Sequence, residues 1–178
     1  MTQVVPSTGD PDTDPLFAWR SGSCEPWTAD VITAMAQALQ PLTIVETGTF
    51  EGLTTERLAT VQGAHVYSIE LDIDRYERAK ARFTGYPNVT ISQGDALDAL
   101  QSFEDESVDF IFLDDNHTSS HVASEILEAK RILKAGGVCV VHDVYGPFGL
   151  SSVVRLAGGI CLPFVKLHAA GGLGVLVK

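Results

Sequence analysis

The stretch "TIVETGTFEGLTT" (residues 43–55) joins a β-branched run to a helix through a loop with two glycines. Residues 43–47 predict a strand, and a helix is predicted from about Leu53. Gly48 and Gly52 are separated by three residues, as GxxxG, so the loop lacks the middle glycine that lets a dinucleotide pyrophosphate approach the backbone. No Gly-Lys-Ser/Thr follows, which excludes a Walker loop. The stretch therefore predicts a strand–loop–helix unit whose glycines let the backbone come close to a ligand that has no phosphate.

The same alternation of strand and helix continues along the chain. Further β-rich runs cover residues 65–70, 89–92, 108–113 and 137–142. Helical spacing or capping is found at Trp27 to Gln40, Asp74 to Phe83, and Ser119 to Lys134, the last with "AGG" as its stop. Strands without internal polar alternation, each followed by a helix, indicate a parallel sheet covered on both faces.

The C-terminal end departs from this alternation. The strand-like runs "FVKLHAA" (164–170) and "GLGVLVK" (172–178) meet at two glycines, with no room for a helix between them. Such runs pair as an antiparallel hairpin. The sequence thus predicts an α/β protein whose parallel sheet closes in an antiparallel hairpin.

Length and composition indicate one domain. A chain of 178 residues is the size of a single domain. We expect one domain at residues 16–178, preceded by a loosely ordered tail at residues 1–15. The net charge of −11 argues against nucleic acid or an acidic membrane as a partner. The three cysteines are far apart and lack CxxC spacing, which favours a reducing compartment. Without a signal peptide or a run of about 18 apolar residues, a cytoplasmic protein is expected.

Polar residues follow the second and third predicted strands. Glu70 ends the second strand, where an acid can accept hydrogen bonds from both hydroxyls of a ribose. Gly94, Asp95 and Ala96 follow the third strand and form a turn suited to the edge of a flat base. Ligands of open α/β sheets bind at the carboxyl ends of the strands. Three successive strand ends therefore offer a loop, an acid for a ribose and a clamp for a base.

These motifs resemble the class I S-adenosylmethionine-dependent methyltransferases over roughly residues 25–178. "VETGTFEG" (45–52) is similar to that family's first motif, Glu70 to its ribose acid, and "GDA" (94–96) to its adenine-contacting turn. The resemblance implies a Rossmann-like, doubly wound, mostly parallel seven-stranded sheet in the order 3-2-1-4-5-7-6. It also implies S-adenosyl-L-methionine as the cofactor, bound by Glu46, Thr47, Gly48, Thr49, Gly52, Thr54, Glu70, Leu71, Gly94, Asp95, Ala96 and Asp114.

Titratable groups follow the fourth and fifth strands, in "FIFLDDNHT" (110–118) and "VVHDVY" (140–145). Adjacent strands are about 4.8 Å apart, so side chains at their ends can converge on one ion or one substrate hydroxyl. Asp115 and Asn116 are predicted to serve as turn and N-cap residues. His117 and His121 lack the HExxH form and make a poor zinc signature.

Within the family, "LDDNH" followed by "LKAGGVCVVHD" resembles the macrocin-type sugar O-methyltransferases and the cephalosporin-biosynthesis methyltransferases. The catechol type is more distantly similar. The resemblance implies Asp114 and Asp143 as metal ligands and His117 as the general base, with Asp114 a second catalytic residue. His142 stands where an acid is usual, which gives the candidate metal set Asp114, His142 and Asp143.

The nature of the metal is left open by this substitution. Magnesium prefers an octahedral shell of oxygens, and an imidazole removes charge and hardness from the site. Mg²⁺, the softer Mn²⁺, a site completed by water, and no metal at all are the alternatives.

The expected function is methyl transfer to the hydroxyl oxygen of a small polar or aromatic molecule. An apolar acceptor pocket is hypothesised at Trp19, Trp27, Tyr145 and Phe148. The chain has no large inserted cap, so a partner subunit is a candidate cover and a homo-oligomer is a further expectation. Three alternatives remain: a cofactor-binding protein without transferase activity, a transferase or lyase that uses another bond of the sulfonium, and a nicotinamide oxidoreductase.

Overall fold

A computed structural model describes residues 24–163 and 171–178. In chain order the elements are α1 (Pro26–Leu39), β1 (Thr43–Thr47), α2 (Leu53–Leu58), β2 (His65–Glu70), α3 (Ile73–Arg82), β3 (Val89–Gln93), α4 (Ala96–Ser102), β4 (Val108–Leu113), α5 (Ser119–Ile132), β5 (Leu133–Val141), α6 (Leu150–Leu156), β6 (Ile160–Leu162) and β7 (Leu173–Val177). Among these helices, none has the length and hydropathy needed to cross a membrane.

The seven strands form one sheet in the order β3-β2-β1-β4-β5-β7-β6. Strands β1 to β5 run parallel, and β7 runs antiparallel to both β5 and β6. The predicted fold class and strand order are confirmed. The hairpin partner of β7 is Ile160–Leu162; the predicted strand at 164–170 lies outside the described residues, as does the predicted tail at 1–15.

The sheet has an apolar layer on each face, because successive residues of a buried strand point to opposite sides. Ile111 and Leu113 of β4 pack with Val122 and Ile126 of α5 on one face. Phe110 and Phe112 of the same strand pack on the other face, with Ile32 and Ala36 of α1. The continuous apolar run of β4 is thus explained by burial on both sides.

One predicted boundary is wrong. The helix predicted to run from Ser119 to Lys134 ends at Ile132, and the "AGG" stop at 135–137 lies inside β5. The physical reason is that Leu133, only 1% exposed, already pairs with Val108 of β4. Lys134 then reaches the Asp109 carboxylate at 2.8 Å, which holds the extended chain against β4. The helix therefore passes straight into the strand without a glycine cap.

Candidate active site

A cavity of about 860 Å³ opens at the carboxyl ends of the parallel strands. This volume lies within the usual range for small-ligand sites. Nine of the twelve predicted cofactor residues line it: Gly48, Thr49, Thr54, Glu70, Leu71, Gly94, Asp95, Ala96 and Asp114. The predicted base His117 and predicted metal ligand Asp143 line the same cavity. The structure therefore brings the two groups of predicted residues together in one space.

Three predicted cofactor residues, Glu46, Thr47 and Gly52, do not line the cavity. The Glu46 carboxylate is only 1% exposed and accepts hydrogen bonds from the hydroxyls of Thr55 and, at 2.6 Å, Ser68. Burial raises its pKa to about 8. Gly52 has φ +74°, and a Cβ there would lie 2.6 Å from the ring of Phe83. Glu46 and Gly52 thus make internal contacts beneath the loop.

Gly48 sets the distance between the β1 loop and the end of β4. It has φ +82°, and a Cβ built on it would lie 2.3 Å from the carbonyl oxygen of Asp114. The amide of Asp114 donates to the carbonyl of Thr47 at 3.1 Å. The glycine therefore allows two backbones to touch, which brings Asp114 to the edge of the loop.

Glu70 presents a fixed carboxylate to the cavity. It is 5% exposed, and its two oxygens accept from the backbone amides of Phe50 at 2.8 Å and Asp72 at 2.9 Å. Each oxygen keeps a further lone pair for a ligand hydroxyl. Asp95, by contrast, uses its carboxylate to cap α4, accepting from Leu97 and Asp98. Glu70 is therefore the wall carboxylate that fits the predicted ribose contact.

His142 lies between two carboxylates. Its Nδ1 is 2.9 Å from Asp114 Oδ1, and its Nε2 is 3.2 Å from Glu25 Oε2. Burial alone lowers the pKa of His142, but the charge of Asp114 and hydrogen bonds to Asp114, Cys24 and Glu25 raise it well above the ordinary value. Burial likewise opposes ionisation of Glu25, yet the His142 contact lowers that pKa to about 2. The group is a buried imidazole with a carboxylate oxygen facing each ring nitrogen.

The same geometry bears on where a metal ion could bind. Ligand atoms of Asp114, His117 and His142 lie within 4.8 Å of one another. Both nitrogens of His142 face carboxylate oxygens, so a metal bound to His142 would have to displace one of these contacts. The metal set Asp114, His142 and Asp143 therefore stays a prediction. Glu25, which completes the bridge, was not foreseen, because it lies 117 residues from His142 in sequence.

His117 faces the cavity beside two acids. Its Nε2 is 3.5 Å from Asp114 Oδ1 and 3.6 Å from Asp143 Oδ2. This buried nitrogen has no hydrogen-bond partner among the described residues. The adjacent Asp114 carboxylate, with a smaller contribution from Asp143, raises the pKa of His117, although burial opposes the shift. The imidazole thus lines the cavity with its buried Nε2 next to two carboxylates.

The prediction for Asp115 is wrong, and the one for Asn116 is confirmed in part. Asn116 Oδ1 accepts from the amide of Thr118 at 3.0 Å, a local turn, and the N-cap position of α5 is Thr118. Asp115 Oδ2 instead lies 2.9 Å from His121 Nε2, and Asp115 lines the cavity. The reason is that the chain leaves β4 with the Asp115 side chain turned toward α5.

The hypothesised aromatic pocket does not form around the cavity. Tyr145 and Phe148 are 37% and 50% exposed, and neither they nor Trp27 lines the cavity. Phe148 comes nearest to the site, with its ring centroid 6.5 Å from that of His117. Trp19 lies outside the described residues.

Solved structures share this fold. A putative O-methyltransferase from Klebsiella pneumoniae matches with a TM-score of 0.76 and 21% identity, covering 98% of this chain and 92% of that one. The O-methyltransferase TomG from Streptomyces achromogenes, in complex with SAM, matches at 0.73 and 22%, covering 88% and 82%. The Bacillus cereus O-methyltransferase in complex with SAH matches at 0.73 and 19%, covering 89% and 84%.

Curated sequences match over shorter stretches. Ribosomal RNA small subunit methyltransferase A of Parasynechococcus marenigrum is 36% identical over 76 residues, which is 43% of this chain and 25% of that protein. Ribosomal RNA small subunit methyltransferase H of Deinococcus deserti is 37% identical over 90 residues, 49% of this chain and 29% of that protein. The matches thus span about a quarter of the length of these curated relatives.

A family model described as "Methyltransferase domain" matches residues 45–144. The matched region runs from β1, through the glycine loop, Glu70 and the β4 end, to the residues that follow β5. It therefore contains the motifs on which the resemblance to class I S-adenosylmethionine-dependent methyltransferases rests, and that resemblance is confirmed. Because the match covers more than half of the 178 residues, the chain belongs to this methyltransferase domain family.

Proposed function

We propose that the protein transfers the methyl group of S-adenosylmethionine to a hydroxyl oxygen of a small molecule. The observation that carries this proposal is that one cavity is lined by both Glu70 and His117, whose imidazole lies beside the carboxylates of Asp114 and Asp143. Glu70 would hold the ribose of the cofactor, and His117 would accept the proton of the acceptor hydroxyl. Structures with the same fold hold SAM or SAH, which supports the choice of cofactor.

The chemistry asked of the protein is limited. The sulfonium methyl is already activated, so holding the acceptor oxygen in line with it supplies much of the acceleration. In the remaining step the oxygen–carbon bond forms, the sulfur–methyl bond breaks to leave S-adenosylhomocysteine, and the hydroxyl proton passes to the imidazole of His117. Asp114 and Asp143 stabilise the imidazolium that results. His142, fixed by Glu25, holds Asp114 in place. A divalent ion bound by Asp114 and Asp143 would lower the pKa of the acceptor hydroxyl.

A small acceptor fits the charge of the chain better than RNA does. The curated relatives are named as ribosomal RNA methyltransferases, but their matches cover half of this chain or less. The net charge of −11 would repel a phosphate backbone. We therefore predict a small-molecule acceptor. We also predict a cytoplasmic location and a homo-oligomer.

Product analysis tests the proposal. The protein is incubated with S-adenosylmethionine and a panel of catechols, phenols and sugars, and nucleoside products are separated by chromatography. S-adenosylhomocysteine formed only in the presence of an acceptor supports O-methyl transfer. Methylthioadenosine would instead indicate aminopropyl transfer. Binding of S-adenosylmethionine with no product from any acceptor would indicate a cofactor-binding protein.

A further inference from the structure

A second group of titratable side chains lies on α5, next to the cofactor cavity. His121 and Glu125 are one helical turn apart, so their side chains lie on one face of the helix. Asp115 approaches that face from the end of β4. His121 Nε2 is 2.9 Å from Asp115 Oδ2 and 3.7 Å from Glu125 Oε2. One ligand atom from each residue lies within 4.8 Å of the other two, a separation compatible with a shared ion.

Glu125 is the residue that makes this group more than an acidic turn. Its side chain is 0% exposed, and neither carboxyl oxygen has a hydrogen-bond partner among the described residues. A buried carboxyl group without hydrogen bonds destabilises the folded chain unless a ligand satisfies it. Oε2 of Glu125 lies 3.7 Å from His121 Nε2, and an ion bound within this group would contact all three residues.

Two of the three residues, Asp115 and His121, line the cofactor cavity, and the buried Glu125 lies 3.7 Å from His121. An ion that enters from the cavity would replace the 2.9 Å contact between Asp115 and His121. The pair Asp114–His142 is a separate arrangement, held from the other side by Glu25.

We propose that Asp115, His121 and Glu125 form a binding site for a divalent transition-metal ion in the wall of the cofactor cavity. Two carboxylates balance the charge of a divalent ion, and the imidazole favours a transition metal over magnesium. The ion would replace the hydrogen bonds that Glu125 lacks and would tie α5 to the loop that carries His117. This site does not depend on the proposed methyl transfer.

Calorimetric titration with Zn²⁺ tests the site. The wild-type chain, freed of metal with a chelator, is compared with Glu125→Gln, which keeps the size of the side chain and removes its charge. Glu128→Gln is the matched control, because Glu128 lies on the same helix and pairs with Arg131 at 2.7 Å. We expect Glu125→Gln to bind one Zn²⁺ fewer than wild type, or to bind it at least tenfold more weakly, and Glu128→Gln to match wild type.

Two further results would decide the proposal. Co²⁺ bound to the wild-type chain should give a visible absorption band that His121→Gln loses, and Asp143→Asn should retain both this band and the Zn²⁺ site. Equal Zn²⁺ binding by wild type and Glu125→Gln would overturn the proposal, as would no binding by wild type. Loss of the band in Asp143→Asn would contradict the claim that this is a separate site.

Discussion

The imidazole of His117 lies at the cavity wall with carboxylates of Asp114 and Asp143 about equally distant. Replacing it by alanine removes the proton acceptor and leaves the Glu70 side of the cavity untouched. We expect His117→Ala to lower turnover about 10²-fold or more. The dissociation constant for S-adenosylhomocysteine should stay nearly unchanged. Steady-state kinetics and calorimetry measure both, and unchanged turnover would remove His117 from the mechanism.

The pH dependence of turnover provides a second test of the same residue. Asp114 and Asp143 raise the pKa of His117, and only the neutral imidazole accepts a proton. Turnover should therefore rise with pH until it passes the raised pKa. Asp143→Asn removes one of the two charges, so its profile should shift to lower pH. A profile that does not move, measured under saturating substrates, would show that another group titrates.

The sequence was informative about residues with a local pattern and uninformative about distant partners. Asp114 and His117 could be predicted because they follow a buried strand at a fixed interval. Glu25 could not, since its bond to His142 forms only when α1 packs beside β5. The importance of Glu125 was also hidden, because an acid on a helix is ordinarily exposed, and its burial depends on the packing of α5 against the sheet.

At the scale of elements, the contact between the β1 loop and the end of β4 depends on Gly48. Gly48→Ala adds left-handed strain and places Cβ 2.3 Å from a carbonyl oxygen. Gly63→Ala is the control, because it has φ +83° with no atom within 4 Å of the added Cβ. We expect Gly48→Ala to lose at least about 1 kcal/mol more unfolding free energy than Gly63→Ala in urea denaturation. Equal losses would show that the loop yields easily.

The elements themselves were predictable where burial repeats along the sequence. The strands β1, β2 and β4 appear as short apolar or β-branched runs because the sheet is covered on both faces there. The junction of α5 and β5 was not predictable from the sequence. The glycines at 136 and 137 indicate a helix stop, but the pairing of Leu133 with Val108 overrides it. Register against a neighbouring strand is a tertiary property that local spacing does not carry.

At the scale of the whole molecule, buried acids make stability depend on pH. Burial raises the pKa of Glu46 to about 8 and that of Glu125 to about 9, against 4.5 ordinarily. Between the unfolded pKa of 4.5 and these folded values, the folded chain holds protons that the unfolded chain releases. Their contribution to stability is complete below about pH 4.5 and is lost as pH rises through the folded values. The unfolding free energy should therefore fall with rising pH, by up to about 1.4 kcal/mol per unit for each proton.

Glu125→Gln isolates one of these protons. In chelator-treated protein, the fall of unfolding free energy between pH 5 and pH 8 should be shallower in this variant than in Glu128→Gln, whose carboxylate pairs with Arg131. Urea denaturation at several pH values measures the slopes. Identical slopes would mean that Glu125 is ionised in the folded chain.

Strand order and cofactor class were predictable together, because the glycine loop, Glu70 and the turn at 94–96 occur in the order that the family shows. The acceptor could not be predicted, since Tyr145 and Phe148 do not line the cavity. Acceptor recognition depends on surfaces whose shape leaves no regular spacing in the sequence.

We propose that the cavity holds an S-adenosyl cofactor through Glu70. Calorimetric titration of S-adenosylhomocysteine and NADH into wild type, Glu70→Gln and the exposed control Glu77→Gln tests it most directly. We predict micromolar binding of S-adenosylhomocysteine to wild type and to Glu77→Gln, about tenfold or more weaker binding to Glu70→Gln, and no binding of NADH. Binding of NADH without S-adenosylhomocysteine would contradict the account.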